Sequence, residues 1–284
     1  FNNVLSRWSL NKILSFSIFN YDFFIDKYFL FLTNIFKKKE TINLDKNDIA
    51  LFGPWPNIYF HQLIDFILRI NFLKKKKCKR IFVPFFLKNI LTSKPYKNIF
   101  FNLNFVFYNY DKNIIFRNLR YLSGINHYSD NKILGDMIVD LNNSIHQKFN
   151  LNYTKYKYTL ISRNKSNRSM KNEDELYKML SKYKFKKYYF ENLSYLDQIR
   201  ISYNSKIIIG VHGSGLANLI FMKKSSNIIE ITNSFIKNPV MKFLCKIKKI
   251  NYFNVPFAIN NLDLSGLVDV NLAEKKVQSI LNKN

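Results

Sequence analysis

The glycine-rich segment 210–215 (Gly-Val-His-Gly-Ser-Gly) is the part of the sequence that most clearly suggests chemistry. The chain has only seven glycines, and three of them lie within this segment. The β-branched run 207–209 before it predicts a buried strand, and the apolar segment 216–222 after it predicts a short helix. Backbone N–H groups and the positive end of a helix dipole at such a turn bind phosphate well. The spacing differs from the dinucleotide-binding pattern G-x-G-x-x-G, and a tight turn without a ligand is the alternative.

Two arginines and a glutamate are expected at the same edge of the predicted sheet. Arg163 directly follows the predicted strand 158–162, and Arg168 lies in the loop after it. Guanidinium groups suit phosphate oxygens, although both arginines are also consistent with ordinary loop cations. Glu230 belongs to the apolar strand 227–231, where a carboxylate can accept hydrogen bonds from a ribose diol. Capping of a helix or an ion pair with an arginine is the alternative for Glu230.

A second group, made of His61, Asp65 and Arg69, is spaced four residues apart on a predicted helix, 57–73. Side chains at that spacing share one helix face. The carboxylate of Asp65 can orient His61 and raise its basicity, which suits a general base. The alternative is a solvated polar stripe with a weak Asp65–Arg69 ion pair. The opposite face is apolar and is formed by Leu63, Phe66, Ile67 and Ile70.

The sequence contains no recognisable metal-binding or disulfide pattern. Cys78 and Cys245 are far apart in the chain, which fits a reducing compartment. The four histidines form neither an H-x-H nor an H-x-x-x-H pair, and no Asp-x-Asp triplet occurs. His127 and His146 have no partners in the sequence and are interpreted as ordinary surface or packing residues. No metal site is therefore expected.

The second half of the chain alternates predicted strands and helices, which is typical of parallel βαβ units. Two of the helices are expected to begin at Asn172, with Glu175 completing a capping box, and at Ser194. The pattern predicts a doubly wound, Rossmann-like domain, joined to the first half by the polar segment 143–157 and followed by a helix at 271–281. The other predicted strands are 81–84, 101–108 and 187–190.

Length and charge set broad limits on function. A chain of 284 residues suits about two domains, and its composition of 47% hydrophobic and 23% charged residues excludes a disordered chain. The net charge of +26 permits nucleic acid, an anionic membrane or a phosphorylated substrate as partner. It is also the composition expected from an A/T-rich genome, in which case the lysines have no binding role. The apolar stretch 13–36 predicts a buried or groove-lining helix, because three charged residues within it exclude a membrane span.

Taken together, these residues resemble glycosyltransferase family 61, which includes capsular polysaccharide biosynthesis proteins, plant xylosyltransferases and extracellular O-GlcNAc transferases. The resemblance runs in order and at the expected spacing from Ile161 to Ile231, and a weaker match covers 59–69. In the weaker match, Gln62 and Leu68 stand where the family usually has Trp and Pro. The residues that carry the main match are Ile161 to Arg163, Arg168, Asn172, Glu173, Glu191, Gln198, Gly210 to Asn218 and Ile228 to Ile231.

The resemblance implies an α/β fold of the GT-B type, in which two Rossmann-like domains face a cleft. The expected domains are an acceptor-side domain (1–145), a nucleotide-sugar-binding domain (146–270) and a C-terminal helix (271–284). The implied reaction is inverting, metal-independent transfer of a sugar from a nucleotide-diphosphate donor, expected to be a UDP-sugar, to a glycan acceptor. Surface or capsular polysaccharide synthesis is the implied setting.

The resemblance also implies roles for single residues. His61 and Asp65 are expected to be catalytic. The expected donor-binding residues are Arg163, Arg168, His212, Gly213, Ser214, Gly215, Asn218 and Glu230. No cofactor is expected beyond the nucleotide-sugar co-substrate.

The expected partners are the donor, a glycan or lipid-linked glycan acceptor and an anionic membrane surface, without nucleic acid. A cytoplasmic location, peripheral on the inner face of the membrane, follows from these partners. The alternatives are a basic nucleic-acid-binding protein and a nicotinamide-dependent oxidoreductase.

Overall fold

The computed structural model describes residues 40–109, 114–120, 132–152, 157–163, 169–232, 238–259 and 265–282. Arg168, His127 and the apolar stretch 13–36, for which the sequence made predictions, lie outside these residues. Within the described ranges, no helix combines the length and the apolar character needed to cross a membrane.

The described residues form strands and helices that alternate along the chain. The strands are β1 (Glu40–Asn43), β2 (Ile49–Ala50), β3 (Ile81–Pro84), β4 (Phe105–Tyr108), β5 (Ile114–Arg117), β6 (Tyr158–Ile161), β7 (Lys186–Tyr188), β8 (Ile207–Val211), β9 (Asn227–Thr232), β10 (Asn251–Ile259) and β11 (Gly266–Val268). The α-helices are α1 (59–73), α2 (Lys88–Thr92), α3 (Lys94–Ile99), α4 (Lys132–His146), α5 (Glu173–Ser181), α6 (Tyr195–Asn204), α7 (Val240–Lys248) and α8 (Val270–Leu281). Short 3₁₀ helices cover Phe85–Leu87, Phe190–Asn192 and Ser214–Phe221.

The chain divides into two compact units. One unit comprises residues 1–45 and 109–119, and its described part is a parallel pair formed by β1 and β5. The other unit comprises residues 46–108 and 120–284 and contains every candidate site residue named above. The two-domain GT-B arrangement and its domain boundaries stay predictions.

The larger sheet of the second unit has the strand order β7-β6-β8-β9-β10-β11. All neighbours are parallel except β10 and β11, which pair antiparallel. From β6 the chain first adds β7 on one side and then returns to add β8, β9 and β10 on the other side. The order therefore reverses between β6 and β8, which is the topological switch point where α/β sheets bind their ligands. The predicted parallel, Rossmann-like topology is confirmed for this part of the chain.

Both faces of this sheet are covered, as the continuous apolar runs of its central strands predicted. Ile208 and Ile228 point into a core that also contains residues of α6 and α7. Ile207, Ile209 and Ile229 point into a second core with residues of α5 and α8. The alternation of faces along each strand places helices on both sides of the sheet, which is the doubly wound arrangement.

The N-terminal part of the second unit has a parallel sheet of order β2-β3-β4. Beside it lies α1, a continuous helical segment composed of Tyr59–His61, a π-helical turn at Gln62–Ile67 and an α-helical end at Leu68–Leu73. Apolar residues of α1 and of α4 share one core with α6, α7 and the 3₁₀ helix Ser214–Phe221. This shared core fixes α1 against the glycine-rich half of the chain.

Several element predictions need correction. Asn172 occupies the predicted N-cap position of α5, but its side chain makes no capping hydrogen bond to the backbone of the helix. Its amide instead bonds to both backbone groups of Val268 and donates to the Glu175 carboxylate. The predicted cap at Ser194 is confirmed, since its hydroxyl accepts from the N–H of Asp197. The first four residues of the predicted linker 143–157 are the last turn of α4. The polar face of α1 is not solvated, as described below.

Candidate functional site

Two features that were predicted from the sequence to share one edge of the sheet, Arg163 and the glycine-rich segment, lie together at the topological switch point. Arg163 lies two residues after β6 ends, and the segment 210–215 begins within β8, the strand hydrogen-bonded to β6. Gly213, Ser214 and Gly215 are partly exposed, so this turn is accessible to a ligand. The first N–H groups of the 3₁₀ helix that begins at Ser214 have no carbonyl partner within the helix, which makes them available to an anion.

The three glycines of this turn allow close packing of the side chains around it. A Cβ on Gly210 would lie 3.2 Å from the Leu216 side chain, and one on Gly215 would lie 3.2 Å from the Ile161 side chain. A Cβ on Gly213 would lie 1.7 Å from Nη1 of Arg163, so the guanidinium occupies the space that any other residue would fill. The sequence predicted that the missing Cβ admits a phosphate. In the structure, the Arg163 guanidinium fills the space left by the missing Cβ of Gly213, and this guanidinium is a cation to which a phosphate would bind.

Arg163 is held in this position at both ends. Its Nη1 donates to the carbonyl oxygen of His212 at 2.9 Å. Its backbone N–H donates to Oε2 of Glu173, whose Oε1 accepts from the Ser162 hydroxyl at 2.6 Å. Glu173 is buried at the start of α5, so the carboxylate fixes the chain where it leaves β6. These hydrogen bonds therefore hold the guanidinium in a fixed position against the glycine-rich turn.

His212 and Glu230 form a buried pair at the same edge of the sheet. Nδ1 of His212 lies 2.6 Å from Oε1 of Glu230, and the Tyr252 hydroxyl donates to Oε2 at 2.6 Å. Burial and the hydrogen bond to Glu230 raise the pKa of Tyr252, so Tyr252 stays a donor. Burial, with the charge of Glu230, also raises the pKa of the Cys245 thiol to about 12. Since Glu230 binds Nδ1, the other ring nitrogen of His212 is the one left to act on a ligand.

Asn218 connects the glycine-rich turn to α1. It is fully buried, and its Oδ1 accepts from the Tyr59 hydroxyl at 2.9 Å. Its Nδ2 donates to the Gly215 carbonyl at 3.1 Å and to Oε1 of Gln198 at 3.2 Å. The sequence predicted Asn218 as a donor-binding residue. Its contacts fix the turn and place the first residues of α1 against the 3₁₀ helix Ser214–Phe221.

The predicted pairing on α1 is present. Nδ1 of His61 lies 2.6 Å from Oδ2 of Asp65, and the Asp65 carboxylate is almost completely buried. Arg69 is 1% exposed; its Nε donates to the Asp65 carbonyl and its Nη2 to the Phe52 carbonyl at 2.7 Å. Burial lowers the pKa of Arg69 to about 10, and the charge of Asp65 opposes that shift, so the arginine remains charged at neutral pH. The solvated-stripe alternative is therefore wrong.

Most of the predicted site residues are thus found in two connected groups. The first group lies at the switch point and consists of Arg163, His212, Gly213, Ser214, Gly215 and Glu230. The second group, His61 and Asp65, lies on α1, which Asn218 connects to the glycine-rich turn. Arg168 is outside the described residues. Among those that are described, no group of three His, Cys, Asp or Glu side chains could hold a metal ion. Whether each residue acts on a ligand stays a prediction.

Tyr252, Glu173 and Tyr59 support this site and were not predicted from sequence. Tyr252 lies on β10, 22 residues after the Glu230 that it binds, and Tyr59 lies 159 residues from Asn218. Neither residue belongs to a local pattern. Glu173 was named only among the residues that carry the family match, and its burial beneath the end of β6 could have been inferred only from the sheet topology.

We expect Gly213→Ala to fold normally and to lose affinity for an anionic ligand at this turn. The added Cβ would displace the Arg163 guanidinium, and a long side chain can move at little cost in stability. Because a charged hydrogen bond contributes about 1.5–3 kcal/mol, the dissociation constant is expected to rise by about 10- to 100-fold. Calorimetric titration with a nucleoside diphosphate and thermal unfolding measure the two effects.

Gly135→Ala is the matched control for this variant. Gly135 lies within α4, where an added Cβ meets the Ile247 side chain at an ordinary 3.4 Å. A helical glycine-to-alanine change is expected to raise stability by up to about 1 kcal/mol and leave ligand affinity unchanged. A Gly213→Ala protein that binds as tightly as the wild type would contradict the placement of the ligand.

Residues 59–229 match the family described as Glycosyltransferase 61. Similar curated proteins are EGF domain-specific O-linked N-acetylglucosamine transferases: that of Mus musculus is 34% identical over 84 residues, that of Drosophila melanogaster 34% over 101 residues and that of Bos taurus 32% over 84 residues. These matches cover 28%, 34% and 28% of this chain and 16%, 19% and 16% of those proteins. The chain thus spans less than a fifth of the length of the curated relatives that it matches.

Proposed function

Because the chain belongs to glycosyltransferase family 61, we propose that it transfers a sugar from a nucleotide-diphosphate donor to an acceptor hydroxyl. The observation that carries this proposal is the position of Arg163. Its guanidinium lies against Gly213 at the switch point of a parallel sheet, beside the partly exposed start of a helix. A cation and backbone donors at that edge suit the diphosphate of a nucleotide sugar.

In the proposed reaction, the bond between the anomeric carbon and the diphosphate oxygen breaks, and the bonding electrons leave with the nucleoside diphosphate. Arg163, the outer ring nitrogen of His212 and the N–H groups at Ser214 and Gly215 stabilise the negative charge that develops on this leaving group. These groups supply positive charge and hydrogen bonds without a divalent cation, so we propose a metal-independent reaction. Glu230 acts through His212 by fixing its orientation.

The acceptor side of the reaction is assigned to α1. As the acceptor hydroxyl attacks the anomeric carbon, its proton passes to the outer ring nitrogen of His61. Asp65 binds the inner nitrogen of His61 and stabilises the imidazolium that forms. A single displacement of this kind inverts the anomeric centre. The Tyr59–Asn218 hydrogen bond supports this assignment, because it ties the helix that carries His61 to the helix that begins at the glycine-rich turn.

The proposal extends to the donor sugar and the biological setting. The names of the relatives make N-acetylglucosamine the first sugar to test. UDP is the first nucleotide to test, because the family resemblance of the sequence implies it. The setting in surface polysaccharide synthesis, the cytoplasmic location and the contact with an anionic membrane stay predictions.

A thermal-shift titration tests the proposed function directly, because a ligand that binds the native state raises its melting temperature. UDP-N-acetylglucosamine, UDP-xylose and UDP-galactose are the probes, with and without a chelator. We expect at least one to give a saturable rise that the chelator does not abolish. NAD and a single-stranded oligonucleotide represent the two alternative functions. A rise with either of these and with none of the nucleotide sugars would overturn the proposal.

A further inference from the structure

One exposed aromatic side chain, Trp55, lies beside His61, and two others, Phe85 and Phe86, belong to a turn that Gln62 connects to the Trp55 segment. The reaction described above gives none of them a role. Trp55 is 47% exposed, Phe85 56% and Phe86 40%. The indole of Trp55 contacts the imidazole of His61, with ring centroids 5.1 Å apart. We call Trp55, Phe85 and Phe86 the aromatic surface. Large apolar side chains grouped at a surface mark binding sites more often than isolated ones do.

The aromatic surface is held together by the residue that follows His61. Nε2 of Gln62, which is buried, donates to the carbonyl of Pro56 at 2.9 Å and to the carbonyl of Phe86 at 3.2 Å. One amide therefore joins the segment that carries Trp55 to the turn that carries Phe85 and Phe86. This contact also gives a structural reason for a glutamine at position 62.

The backbone of Trp55 is strained. Its φ of 43° lies in the left-handed region, which is unfavourable for a bulky side chain. Prolines on both sides and the hydrogen bond from the Ile58 N–H to the Trp55 carbonyl keep the segment in this conformation. Strain at a residue whose ring stays exposed does not serve core packing, and such strain is concentrated at functional sites.

We propose that Trp55 binds the acceptor, and that the acceptor group it binds is a sugar ring stacked on the exposed face of the indole. This inference rests on the proposed function, which requires an acceptor hydroxyl at His61. A pyranose fits both neighbours, because it has an apolar C–H face that can stack on an aromatic ring and hydroxyl groups around its edge that can reach the adjacent imidazole. Phe85 and Phe86 extend the apolar contact to the rest of the acceptor.

Tryptophan fluorescence tests the stacking, because the chain contains only two tryptophans, Trp8 and Trp55. In the Trp8→Phe protein, Trp55 is the sole reporter. With UDP bound, titration with the methyl β-glycosides of N-acetylglucosamine, galactose and xylose is expected to quench or shift the emission saturably for at least one sugar. No change with any of the three overturns the proposal. A larger saturable response to N-acetylphenylalaninamide would identify an apolar peptide instead and would also overturn it.

Transfer kinetics with the responding glycoside as acceptor provide a second test. We expect Trp55→Ala to raise the acceptor KM at least tenfold and to leave the donor KM unchanged, with partial recovery in Trp55→Phe. The control is Phe101→Ala, since Phe101 is 67% exposed and lies outside the aromatic surface. An unchanged acceptor KM in Trp55→Ala contradicts the proposal. Donor binding, measured by thermal shift in the same proteins, separates this result from a failure of the proposed function.

Discussion

Arg163→Ala is expected to lower the rate of transfer by about 10²- to 10³-fold while the protein remains folded. A positioned donor that meets developing charge in the transition state contributes about that much to catalysis. Arg163 is partly exposed, so we expect its loss to leave both cores of the sheet intact. We expect a weaker effect on donor affinity than on kcat, because the charge on the diphosphate grows as the glycosidic bond breaks.

The measurement is the initial rate of UDP-sugar consumption with saturating donor, together with a melting curve. Arg200→Ala is a suitable control, because Arg200 also lies in the second unit but on α6, with contacts to Asp197 and to the Asn150 carbonyl. Equal activity of Arg163→Ala and the wild type would remove the anion site from the switch point. A large loss in Arg200→Ala would show that positive charge in general, and not this guanidinium, is required.

The two histidines of the proposed mechanism share one form of support. In each pair, the inner ring nitrogen lies 2.6 Å from a buried carboxylate oxygen, which leaves the outer nitrogen to act on a ligand. The carboxylates differ in their second partner. Asp65 lies beside the buried cation Arg69, whereas Glu230 accepts from the neutral Tyr252. Both carboxylates orient the imidazole that they bind, which is the role that the proposed reaction needs from each of them.

The larger sheet was predictable from sequence because its central strands are buried on both faces. Only a strand covered on both sides needs an apolar run like that of β8, and the change of period between strands and helices is then visible. The position of Arg163 and of the glycine-rich turn at one edge followed from parallel topology alone. The candidate site was thus predictable wherever it depended on the order of elements along the chain.

Contacts between residues distant in sequence were not predictable. The capping pattern at Asn172 matches a common motif, but the side chain binds β11, a strand 94 residues later that has no strong pattern of its own. The burial of Asp65 and Arg69 depends on α4 and on the loop at Phe52, which pack around a helix that looks amphipathic in isolation. The strained backbone of Trp55 is likewise a property of the folded turn and not of its residue types.

His61→Ala is expected to lower kcat by about 10²- to 10⁴-fold and to leave donor binding intact. General base catalysis by a positioned side chain contributes about that much, and His61 is hydrogen-bonded to Asp65 and not to the glycine-rich turn in the contacts described. Asp65→Asn is expected to cause a similar loss with His61 still present, because an amide can stabilise the wrong tautomer of the imidazole and cannot stabilise its charged form. Initial rates over a range of pH, with thermal shift by UDP-sugar, measure both effects.

The comparison of these two variants separates a base from a structural residue. If His61 takes the proton, the pH dependence of kcat attributable to the base is lost in His61→Ala and altered in Asp65→Asn, whereas a packing defect lowers the rate equally at every pH. His146→Ala is the control, since His146 is exposed at the end of α4 and contacts only Tyr203 among the aromatic rings described. Retention of the wild-type pH profile in His61→Ala would assign the base to another residue. The anion site at the switch point would not be affected by that result, because it is tested by Arg163→Ala.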